Sequence, residues 1–128
     1  MNSNSSSIRR WLVLGSLVTF AFALCVVGAR TQSTATTHTV TITPANPPTV
    51  SPDPVTISKS AGDQVDWVCP KCTSGFAVHF PQASPFTDNA FSDKNPQSGR
   101  VTAQAAAGTY HYTVTVNGNT VDPSVIVH

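Results

Sequence analysis

Apolar and polar side chains alternate most strictly over residues 109–116. Tyr110, Tyr112, Val114 and Val116 fall on one side of an extended chain there, and Thr109, His111, Thr113 and Thr115 on the other. A period of two over that length predicts a half-buried β-strand, entered from the bend Ala107-Gly108 and left through the turn Asn117-Gly118-Asn119. The same alternation predicts strands at 38–42 and 55–58. It predicts a third at 64–68, with Val65 and Trp67 inward and Gln64 and Asp66 outward, and a fourth at 76–80, with Phe76, Val78 and Phe80 on the buried face. Shorter strands are expected at 101–104 and 124–127. About seven such strands, separated by turn residues, predict an all-β fold: a two-sheet sandwich of about 90 residues with 109–116 as its central strand.

Breaks in the pattern divide these elements. Pro44, Pro47, Pro48, Pro52 and Pro54 interrupt the chain between the first two strands, because proline cannot donate to a sheet ladder. Ser60-Ala61-Gly62-Asp63 has turn chemistry. Residues 81–98 lose regularity, and a structureless loop of that length needs something to hold it. Phe86 and Phe91 are the expected pins.

The amino-terminal segment is of another kind. Arg9 and Arg10 precede an almost wholly apolar stretch from Trp11 to Val27, and Val27-Gly28-Ala29 supplies the small residues of a cleavage site. Residues 1–29 are therefore expected to be a helical secretory signal peptide, residues 30–37 a linker, and residues 38–128 the domain. An uncleaved anchor is the alternative, since the apolar run matches the shortest membrane spans of about 17 residues. The Arg pair suggests twin-arginine export less than general secretion, because Ile8 stands where a small hydroxyl residue is preferred. Cys25 follows Leu24, too large a residue for lipoprotein processing. An extracytoplasmic location, periplasmic or secreted, is expected.

Beyond Ala29 there are five basic and six acidic side chains, a net charge of −1, and no glutamate. This balance argues against a nucleic-acid partner, which needs a basic face. It leaves a protein or small ligand as the partner, and a membrane only if the leader stays attached.

Three segments in order, Gly62-Asp63-Gln64-Val65-Asp66-Trp67, Phe76-Ala77-Val78-His79-Phe80 and Gly108-Thr109-Tyr110-His111-Tyr112, resemble the cupredoxins, the blue-copper sandwich proteins. The family pattern reads G-D-x-V-x-W, H-x-V-x-F and G-x-Y-x-Y-x-C-x-x-H, with a methionine further on. The resemblance implies a Greek-key β-sandwich. Carried over position by position, its first histidine falls on Phe76, its cysteine on Val114 and its second histidine on Asn117, while Met1 is the chain's one methionine. A blue-copper site needs two imidazoles and a thiolate, so the resemblance implies a domain without that site, with Phe76 and Val114 extending the core and no cofactor.

Other chemistry is sparse. Cys69-Pro70-Lys71-Cys72 can be a structural disulfide, half of a metal site or a redox dithiol. The disulfide is the expectation, because a second cysteine pair is absent and a redox pair ordinarily opens a helix. His79 and His111 point outward. In the family their strands are antiparallel neighbours, which would bring the two imidazoles level as a weak copper or zinc site. Joined by Cys69 and Cys72, they are the alternative: a copper-binding or electron-transfer protein with a non-standard site. Asp63 and Asp66 imply no partner, and no G-x-S-x-G elbow or other catalytic constellation is found. The expected function is that of a non-enzymatic binding or structural module, with loops 69–72 and 81–98 as contact regions.

Overall fold

The computed structural model describes residues 33–128. The expected signal peptide, with Cys25, lies outside the described residues. Those residues form an all-β structure of eleven short strands and no helix. Strands β1 (Thr37–Thr43), β2 (Thr49–Ser51), β4 (Gln64–Val68) and β7 (Gln97–Arg100) make one sheet in the order β2-β1-β4-β7. Strands β5 (Ala77–His79), β6 (Ala90–Ser92), β9 (Thr113–Val116) and β10 (Asn119–Val121) make a second, ordered β10-β9-β5-β6. The third contains β3 (Val55–Ile57), β8 (Gly108–His111) and β11 (Ser124–Val127) in the order β3-β11-β8. Most neighbours are antiparallel; β1 with β4 and β3 with β11 run parallel.

The alternating residues meet in one sandwich-like core. Val40 is the register partner of Trp67, Val78 of both Val114 and Phe91, and Val125 of Val55, and all are buried in a single apolar cluster. Phe76 and Val114 belong to it, as expected, at 7% and 0% exposure. Each such side chain contributes roughly 1.5–3 kcal/mol by leaving water. Trp67 is the hub: Phe91 stacks on it at 4.9 Å between ring centres, while Phe80, Phe86 and Tyr112 approach it edge-on.

The strands fall in three sheets where two were expected, and β2 and β10 lie where a proline-broken loop and a turn were expected. Four further details depart from the sequence expectation. The strand at 109–116 is two strands that serve different sheets. β8 pairs with β11, β9 pairs with β5, and Tyr112 at the joint donates its N–H to the Pro123 carbonyl at 3.0 Å. Residues 101–104 are not a strand; the antiparallel neighbour of β4 is β7, just before them. There the register slips, so that Gly99 adopts φ +70° and the buried Ser98 hydroxyl accepts the Val65 N–H at 2.8 Å, a bulge whose unpaired donor is satisfied by a side chain. Residues 81–98 are held by Phe86 and Phe91 as expected, but they contain β6, an added edge strand on β5. The domain also starts before residue 38: Thr37 opens β1, and the Thr36 carbonyl accepts the Gln64 N–H at 3.0 Å.

Candidate functional site

The residues singled out by their chemistry fall in three places. The first is the end of the sandwich where β4 leads into loop 69–75. Cys69 and Cys72 lie at disulfide-bonding distance with Cα atoms 5.4 Å apart, and the Cys72 N–H donates to the Cys69 carbonyl at 3.2 Å. Both cysteines are half-buried with one flank on the core, whereas Pro70 and Lys71 are exposed. The loop reaches the β9–β10 hairpin, where the Ser74 hydroxyl donates to Asn117 Oδ1. Asn117 and Gly118 both have positive φ, the two-residue turn that matches strand twist.

Phe76, Val114 and Asn117 are the positions onto which the copper ligands of the resemblance fall. Two are buried hydrocarbon and the third is a carboxamide engaged with Ser74. This donor set does not fit a copper ion. Among the described residues no three His, Cys, Asp or Glu side chains come together as a metal-binding group.

The second place corrects an expectation. His79 is the register partner of Thr113, whose hydroxyl donates to the His79 carbonyl at 3.3 Å. His111 lies on β8 in the β3-β11-β8 sheet, opposite Ser124, with Nδ1 3.2 Å from the Ser124 hydroxyl. The two imidazoles are not brought level. The physical reason is the sheet change at Tyr112, which ends the β5–β9 ladder before His111 can enter it.

The third place corrects the expectation that Asp63 implies no partner. Asp63, 6% exposed, accepts the Thr36 N–H at 2.9 Å through Oδ1, and accepts both the Ser58 N–H and His38 Nε2–H at 2.9 Å through Oδ2. Burial pushes this carboxyl upward, but the two backbone donors and the His38 ring outweigh it and hold its pKa below the ordinary 3.8. One buried carboxylate thereby fastens the start of β1 to the turn between β3 and β4. Beside it lies an open depression of about 250 Å³ lined by Ser33, Thr34, Ala35, Ala61 and Arg100. The signal available in the sequence was a carboxylate in a small-residue turn; its partners His38 and Thr36 stand 25 and 27 positions away and emerge only from the β1–β4 register.

The core itself carries two further polar groups. The Tyr112 hydroxyl and Trp67 Nε1 are buried without a hydrogen-bond partner. Burial pushes the Tyr112 phenol up to about 12; the nearby Trp67 N–H opposes this and the charge of Asp53 adds to it. Comparison of the chain with family models, with curated proteins and with solved structures finds no match.

Proposed function

We propose that the protein is an extracytoplasmic, non-enzymatic module of cupredoxin-like Greek-key architecture without a type 1 copper site, acting through its surface as a binding or structural domain. The observation that carries this reading is the burial of Phe76 and Val114 in the core at the two positions where the resemblance would place an imidazole and a thiolate. Loop 69–72 and the excursion 81–98 stand on a scaffold with one aromatic hub, the usual arrangement for recognition loops. The leader at residues 1–29 supports export. A copper or electron-transfer role through Cys69, Cys72, His79 and His111 draws less support, since the strand register separates the two imidazoles.

The test is copper loading of the full chain. Protein equilibrated with excess Cu(II), and in parallel with Cu(I) under reductant, is desalted and assayed for metal and for visible absorption. Copper well below one equivalent, with no intense blue band, is expected. One tightly held equivalent or a blue chromophore would overturn the reading.

A further inference from the structure

The Cys69–Cys72 bridge has features that a purely structural staple does not need. We propose that it is a reversible thiol–disulfide exchange site whose reaction partner is a dithiol. This inference is independent of the copper question, because neither half-cystine falls on a position where the resemblance puts a ligand.

A disulfide stabilises mainly by closing a loop in the unfolded chain, and the effect grows with loop length, so a short ring gains least. Here the ring spans residues 69 to 72 only. The same ring is already closed by the Cys72 N–H to Cys69 carbonyl hydrogen bond.

Ser74 is bonded to Asn117. Gly75, at φ +81°, lies so close to the Asp93 carboxylate that a Cβ there would come within 2.6 Å of Oδ1, and the Asp93 N–H reaches the Phe76 carbonyl at 3.4 Å. None of these contacts passes through sulfur. Opening the bridge therefore leaves two thiols preset at the separation needed to close it again.

Pro70 and Lys71 are exposed and the two cysteines half-buried, so the loop that carries the bridge lies at the surface. Lys71, within the ring, favours the thiolate that departs. The Asp93 carboxylate lies at the far end of the loop, against Gly75. Among the described residues no helix N-terminus stands behind either sulfur, so the pair is arranged to be attacked as a disulfide rather than to attack as a strong nucleophile.

The exchange balances as follows. A partner thiolate attacks one Sγ, forming a mixed disulfide while the Cys69–Cys72 bond breaks and the other sulfur leaves as thiolate. The partner's second thiolate then attacks the mixed disulfide, forming the partner's own disulfide and releasing the second sulfur of this chain. Two electrons pass from the partner to Cys69 and Cys72, each of which takes up a proton. The reverse sequence reoxidises them.

The experiment uses the full chain with Cys25→Ser, so that only the bridge supplies thiols, equilibrated with mixtures of reduced and oxidised thioredoxin-type dithiol protein. Alkylation and mass analysis count free thiols, and circular dichroism follows the fold. Two adducts are expected to appear together, with half-reduction at a dithiol to disulfide ratio within about a hundredfold of one. The β spectrum should persist, and the reduced protein should melt cooperatively, lower by about 15 °C or less. A bridge still closed beyond that ratio, or a fold lost on reduction, would overturn the proposal. The Cys69→Ala/Cys72→Ala double variant gives a second check: it should melt like the reduced protein, and failure to fold would count against exchange.

Discussion

Replacing Asp63 by asparagine keeps the shape of the side chain and removes its charge. In the native protein Oδ1 serves the Thr36 N–H, while Oδ2 serves the Ser58 N–H and His38. An amide has one oxygen, so whichever way the substituted side chain turns, its NH₂ group meets a donor. A hydrogen bond to a charged group contributes about 1.5–3 kcal/mol, and an abandoned buried donor costs about 1–3 kcal/mol. The His38 contact involves a side chain that is 30% exposed and adds at most about 1 kcal/mol. Asp63→Asn should therefore lower stability by about 2–4 kcal/mol at neutral pH, measured by urea unfolding followed by circular dichroism with an unchanged m-value. The pH dependence follows from the depressed pKa. The carboxylate's contribution is fully present above its ordinary 3.8 and is lost as pH falls through that value toward the lower native one. The gap between wild type and variant should narrow over that range. A cost under about 0.5 kcal/mol at pH 7, or a gap that stays constant below pH 4, would refute the reasoning.

Two other substitutions probe the core. Tyr112→Phe removes a buried hydroxyl that has no partner, so stability should stay within about 1 kcal/mol of wild type or rise, again by urea unfolding; alkaline titration of the wild type should show Tyr112 ionising near 12 and stability falling from pH 10 upward, because the unfolded phenol releases its proton first. Phe91→Ala deletes the ring stacked on Trp67 and one pin of residues 81–98; it should cost about 3–5 kcal/mol and speed amide exchange in β6, an edge strand with little else to hold it.

Side-chain alternation reports which way a residue faces, not which strand it pairs with. This is why burial along 109–116 followed from the sequence, with Tyr112, Val114 and Val116 all enclosed, while the change of sheet at Tyr112 did not. The same limit misplaced His111 beside His79. Strands of regular alternation, such as β1 and β4, were legible; β7 was not, because Gln97, Ser98, Gly99 and Arg100 carry no apolar period and the strand exists through a bulge and a serine hydroxyl. Strand β10 has only three residues, and its signal is the preceding Asn-Gly turn rather than its own composition. Phe86 and Phe91 were found because large aromatic side chains in a polar loop have few places to go but the interior. The Asp63 contacts were invisible for the opposite reason: a short carboxylate in a turn looks solvated until distant backbone is folded over it.

The parallel pairing of β1 with β4 has a mechanical consequence. Five register pairs, from Thr37 with Gln64 to Thr41 with Val68, join these strands, and the Asp63 contacts grip the leading end. A force drawing the amino-terminal end of β1 along its own axis would load that ladder in shear, all rungs sharing it, instead of peeling them apart one by one. The domain is thereby built to resist traction applied at the amino-terminal end of β1.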